Sequence, residues 1–93
     1  MPELVCEIWR DADSASFEAG QVSEQHDRSR QTVSPNSELL HTYKARSTFE
    51  VFQKSNDWLG WGKWQPPEGI EDHFFTEEEA EEQQRYLLTR NVG

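Results

Sequence analysis

Apolar and polar residues alternate from the start of the chain. In Leu4-Val5-Cys6-Glu7-Ile8-Trp9, Leu4, Cys6 and Ile8 share one side, and Val5, Glu7 and Trp9 share the other. That period of two predicts a β-strand. A strand so near the N-terminus needs a later strand to hold it. Alternation returns over Glu38 to Ala45, where Leu39, His41, Tyr43 and Ala45 interleave with Leu40, Thr42 and Lys44. This predicts a second strand.

A helical period follows. Phe49, Phe52 and Leu59 recur at helical spacing, with Val51 and Trp58 beside them, so Thr48 to Trp58 reads as the main helix of the core. Phe49 and Phe52 lead its apolar stripe and are expected to be largely buried. Ser47-Thr48-Phe49-Glu50 has the form of a capping box, in which the Ser47 hydroxyl takes the Glu50 amide and the Glu50 carboxylate returns to the Ser47 amide. Gly60 supplies the stop. Thr76-Glu77-Glu78-Glu79 repeats the capping signal, and its acids suit the positive end of a helix running to about Thr89. The buried face of that helix is thin: Ala80, Gln83 or Gln84, Tyr86, Leu87 and Leu88. Between the helices, Ile70 to Phe75 reads as a third, short strand.

The stretch from Arg10 to Ser37 has almost no apolar periodicity. Phe17 is read as its only large apolar anchor, expected to hold the segment on the core. Ser23 can cap a short helix to Thr32 with Asp27 and Arg28 facing outward. Long structureless loops are unusual inside a small domain, so either this helix forms or residues 10–37 are mobile. Together the elements predict one α+β domain over residues 1–93, with a small two- or three-stranded sheet and the two main helices on one face. An edge of that sheet near the N-terminus offers a pairing site for a second copy, so the chain is expected to be a monomer or a homodimer.

Composition narrows the partners. The chain has 93 residues, 33% hydrophobic and 29% charged, with a formal net charge of −9. A chain this acidic repels nucleic-acid backbones and anionic lipid heads, and a basic protein partner suits it better. No apolar run approaches the roughly 20 residues of a membrane span, and the N-terminus lacks the form of a secretion signal. A single cysteine, Cys6, permits no internal disulfide. The expected location is the cytoplasm.

Ala45-Arg46-Ser47-Thr48-Phe49-Glu50 followed by Gly60-Trp61-Gly62-Lys63-Trp64 resembles a pattern in small uncharacterised bacterial proteins, in which a strand leads into a capped helix that ends in a Gly-Trp-Gly turn. The resemblance covers about a quarter of the chain. It implies a bacterial, cytoplasmic protein and supplies no catalytic residue, cofactor or metal.

Candidate chemistry is sparse. His26, His41 and His73 lack the spacing of a dedicated metal site. Cys6 lies on the inward side of a strand, where a thiol is inert. The acids from Glu77 to Glu82 point in different directions on a helix and read as a solvated face. The unusual feature is Trp58, Trp61 and Trp64 beside Lys63, just before Pro66 and Pro67. Tryptophan concentrates at binding hot spots. The expectation is a non-catalytic protein that binds a protein partner through Trp58, Trp61, Lys63 and Trp64 and its acidic surface, without a cofactor. The alternative is a small enzyme or ligand-binding domain with a pocket near Trp58, Trp61, Trp64, Tyr43 and His41. The bland reading of the same residues folds the indoles back to cap a small core.

Overall fold

The computed structural model describes residues 1–90. Six elements follow in order: β1 (Leu4–Asp11), β2 (Phe17–Gln21), α1 (Glu24–Val33), β3 (Ser37–Ala45), α2 (Thr48–Leu59) and α3 (Glu77–Thr89). The expected α+β class holds, with three strands in the antiparallel order β2-β1-β3. β1 is therefore central and both its edges are paired, so no edge for a second copy lies at the N-terminal strand. The edges belong to β2 and β3. Each has a carbonyl met by a side chain of this chain: Lys54 Nζ donates to the Lys44 carbonyl at 2.7 Å, and His26 Nδ1 lies 2.7 Å from the Gln21 carbonyl.

The polar segment before β3 is ordered into two elements. β2 was not expected. It pairs with β1 from Cys6↔Gln21 to Arg10↔Phe17. The hairpin between them turns on Asp11, whose carboxylate accepts from the Asp13 amide and the Ser14 hydroxyl. Ala15 takes the left-handed conformation there at φ 60°. Glycine or asparagine usually marks such a position, so the turn leaves little signal in the sequence. α1 forms as expected behind Ser23, whose hydroxyl accepts from the His26 amide at 3.1 Å. Asp27, however, faces inward and is buried.

Partners across an antiparallel pair share a face. Ala45, Tyr43 and His41 oppose Leu4, Cys6 and Ile8, and α2 covers this side. Leu4, Cys6, Ala45, Val51 and Phe75 form its core, with Tyr43 and Ala80 packed against them. The inward residues of α2 are Val51 and Ser55; Phe52 is 38% exposed and Phe49 half-buried. The expected Phe49–Phe52 stripe is one step out of register. The helix turns its smaller residues to the sheet because a three-stranded sheet leaves little depth.

The caps of α2 and α3 divide. Thr76 and Glu79 make the complete reciprocal box. Ser47 accepts the Glu50 amide at 3.2 Å, but the Glu50 carboxylate takes the Arg46 amide and guanidinium rather than the Ser47 amide. The Asp72 carboxylate satisfies a further N-terminal amide, that of Phe49, at 2.9 Å. Residues 70–75 are not a strand. They make one isolated bridge, Ser47↔Phe74, and Ile70 is exposed.

α3 meets the α2-side core at Ala80 and then serves the opposite side of the sheet. The Gln83 side chain enters the ladder beyond the end of β2. Its Oε1 accepts from the Val5 amide at 2.8 Å, and its Nε2 donates to the carbonyls of Val5 and Val22. One side-chain amide thus stands in for a missing peptide unit between β1 and the chain leaving β2. On the Glu7 side, the Arg90 guanidinium bridges Glu7, at 2.6 and 2.9 Å, and Asp27, at 2.8 and 2.9 Å. All three side chains are at least nine-tenths buried. Asp27 also accepts from Arg30 and the Tyr86 hydroxyl, and the Arg30 guanidinium lies 3.7 Å from the centre of the Trp9 ring. No buried side-chain nitrogen or oxygen among the described residues lacks a partner.

Two predictions follow from these polar anchors. Gln83→Ala leaves the Val5 N–H and Val22 C=O without their partner, at a cost of about 1–3 kcal/mol. Hydrogen exchange should show the Val5 amide losing protection; unchanged protection would remove Gln83 from the ladder. Arg90→Ala leaves two buried carboxylates unpaired and should cost about 3–5 kcal/mol in urea unfolding, whereas Arg28→Ala at the exposed Glu24 pair should cost less than about 1 kcal/mol. Acid should reproduce the Arg90 effect. Burial alone would raise the Asp27 pKa, but hydrogen bonds from Arg90, Tyr86 and Arg30 outweigh it and hold the carboxyl below its ordinary value of 3.8. Its contribution is then complete above pH 3.8 and lost as pH falls through the lower, folded-state pKa.

Candidate functional site

The aromatic residues that the core has no room for gather around the end of α2. Gly60 ends the helix in the left-handed conformation, φ 75°. Its amide and that of Trp61 return to the carbonyls of Asp57 and Asn56, at 3.3 and 2.9 Å, a C-terminal cap that fixes where the connector departs. Gln53 then holds the connector to the outer side of α2. Its Oε1 accepts from the Trp64 amide at 3.0 Å, while its Nε2 donates to the Asp57 carboxylate at 2.9 Å and to the Gly62 carbonyl at 3.5 Å.

The three indoles take three different settings. Trp58 stacks on His41 of β3, with centroids 5.0 Å apart and planes 10° apart, and His41 stacks in turn on Tyr43. Trp64 is half-buried against Phe49 and Phe52, at 5.1 and 5.0 Å. Trp61 meets Phe17 edge-on at 5.7 Å and is 60% exposed. Phe17 anchors the β2 hairpin to this connector rather than to the buried core, and is itself 40% exposed. With Trp58 at 45% and Phe52 at 38% exposed, α2 also presents aromatic surface to solvent. Lys63 is exposed beside it.

Trp58, Tyr43 and His41 therefore come together, while Trp61 and Trp64 stand apart from them and from each other. Two concave regions lie elsewhere. One of about 560 Å³ lies between α1 and α3 and includes Leu4, Gln21, Glu24, Glu82 and Tyr86. Another of about 540 Å³ lies between α3 and β3 and includes Val5, Lys44, Ala80 and Leu87. Neither includes an indole of the connector.

The titratable groups near the core are held quiet. Burial pushes the Cys6 thiol up to about 12, so it is not a thiolate nucleophile near neutral pH. Burial also raises the Tyr43 hydroxyl, which donates to the Val51 carbonyl at 2.9 Å. His73 Nε2 lies 2.9 Å from the Glu79 carboxylate at the head of α3. Among the described residues, no three His, Cys, Asp or Glu side chains converge on a common metal position, and no helix is long and apolar enough to cross a membrane.

Asp57 sits in the last turn of α2, where no basic residue balances it. An acid at the negative end of a helix costs about 0.3–1 kcal/mol. Asp57 lies three residues before the helix-ending Gly60 and next to Trp58.

No family model, curated protein or solved structure matches this chain.

The settings of the indoles predict different mutational costs. Trp61→Ala should change stability by less than about 1 kcal/mol. Trp64→Ala removes a ring packed between two phenylalanines and should cost about 1–3 kcal/mol. Thermal unfolding of the two variants checks this; equal losses would place both indoles in one structural role.

Proposed function

We propose that this protein is a non-catalytic interaction domain that binds a protein partner through the aromatic surface at the end of α2. The observation that carries the reading is Trp61. Its indole is 60% exposed, on a backbone fixed by the α2 cap and by Gln53. A large apolar ring on a rigid support, with Trp58, Phe17 and Phe52 exposed around the same helix end, has the character of an interface hot spot. The acidic surface supports a basic partner. Of the nine lysines and arginines, Arg28, Arg30, Arg46, Lys54 and Arg90 are held in ion pairs within the chain, which leaves most of the surface carboxylates without a cation of their own. The reading takes the protein to be cytoplasmic, in keeping with its one buried, inert thiol and with the resemblance to small bacterial proteins.

The alternative of an enzyme or small-ligand site draws less support, because neither of the two concave regions described above includes His41, Tyr43 or an indole of the connector. The experiment is affinity capture from a lysate of the source cell, with wild type, Trp61→Ala and Leu88→Ala compared. Leu88 is 88% exposed on α3, remote from Trp61 in sequence and element, and controls for generic stickiness. A partner retained by wild type and Leu88→Ala but lost by Trp61→Ala is the expected result. Retention by all three would rule out the Trp61 surface.

A further inference from the structure

We propose that the groove between α3 and β3 is the contact surface of a homodimer. The α3 helices of two copies pack antiparallel, and Leu88 of each copy enters the groove of the other. No indole of the connector lines this groove, so the contact is independent of the Trp61 surface.

The groove carries its own complement. Leu88 is 88% exposed, more than any other large apolar side chain among the described residues. It lines a concavity of about 540 Å³ together with Val5, Ala80 and Leu87. Ala80, Gln84 and Leu88 recur every four residues and form one stripe of α3. A stripe with a small residue at one end and a large one at the other fits itself in reverse. In an antiparallel crossing centred near Gln84, each Leu88 lies over the other copy's Ala80, and the two Gln84 side chains meet at the axis.

Charge selects the same face. Each copy carries a formal charge of −9, so two copies repel unless cations lie in the contact. Among the described residues, Arg10, Lys44, Lys63 and Arg85 are the cations in no ion pair with another side chain. Lys44 and Arg85 both line this groove, and so does Glu81. Glu81 and Arg85 have the spacing of a helical ion pair, yet they form none within the chain. The antiparallel crossing brings Arg85 of each copy to Glu81 of the other, so the surface matches itself in sign as well as in shape.

The helix is free to present this stripe because its own chain holds it elsewhere. Gln83, Tyr86 and Arg90 carry its hydrogen bonds to β1 and α1, on another side of the helix from Gln84, Arg85 and Leu88, which are exposed. The edge of β3 is a poorer route to a second copy, since Lys54 Nζ already occupies the Lys44 carbonyl.

Sedimentation velocity on the full chain, from about 10 μM to about 1 mM, tests the contact. Wild type should pass from one chain towards two as concentration rises. Leu88→Glu should stay at one chain while melting as wild type does. Glu81→Lys and Arg85→Glu should each weaken association about tenfold. An equimolar mixture of those two variants should recover it, because each then meets the opposite sign at both positions; an ion pair within one helix cannot give this recovery. Gln84→Cys should form a disulfide-linked dimer on oxidation, since Cys6 is buried, whereas Gln31→Cys on α1 should not. The inference falls if wild type stays at one chain throughout, if Leu88→Glu associates as wild type does, or if the mixture associates no better than its components.

Discussion

One guanidinium ties this fold together. Arg90, at the end of the last helix, forks between Glu7 of the central strand and Asp27 of α1 in surroundings closed to water. A single planar cation with donors on several edges can serve two carboxylates from two elements. Without it, two buried negative charges would face each other across the polar side of the sheet. α1 has little other reason to sit there. Its buried side chains are Asp27 and Arg30, and its sequence offers no apolar stripe. Gln83 extends the same logic to the backbone by completing the β1 ladder where β2 departs. The fold is held on one side by a small apolar core and on the other by satisfied polar contacts. Such contacts add less net stability than an apolar core of equal volume, and they constrain geometry more strictly.

That division explains where the aromatic residues lie. A three-stranded sheet with α2 on one side needs only Val51, Phe75 and the inward residues of β1 and β3 to fill its core. Eleven aromatic side chains are more than this space can hold. Much of the surplus lies around α2 and its connector in separate stacks, Trp58 on His41, Trp64 on Phe49 and Phe52, and Trp61 against Phe17, with Trp61 mostly in solvent. The acidic setting of the exposed surface keeps it soluble. The interaction proposed for it uses residues on which folding depends little.

The apolar core elements were legible in the sequence, and the polar ones were not. Period-two alternation located β1 and β3, and capping residues located α1, α2 and α3, because those signals are local. β2 went unread because its hairpin turns on Asp11 with Ala15 in the left-handed conformation, where glycine would have announced it. Asp27 was read as outward because its reasons for burial, Arg90 and Glu7, lie 63 residues ahead and on the central strand. Phe52 was read as core because a helical stripe gives no measure of how deep the core is. At the site, the three tryptophans drew attention by composition, but their separation into three stacks depends on where β2 and β3 present Phe17 and His41.

The central claim is geometric: Arg90 works because its fork spans two carboxylates, and charge alone does not suffice. Equilibrium urea unfolding of Arg90→Lys against wild type tests this directly. Lysine keeps the charge but has one nitrogen to offer, so it can pair well with Glu7 or with Asp27 and leaves the other under-satisfied. The account predicts a large loss of stability, about 2 kcal/mol or more. A lysine variant that unfolds at the wild-type midpoint would contradict it.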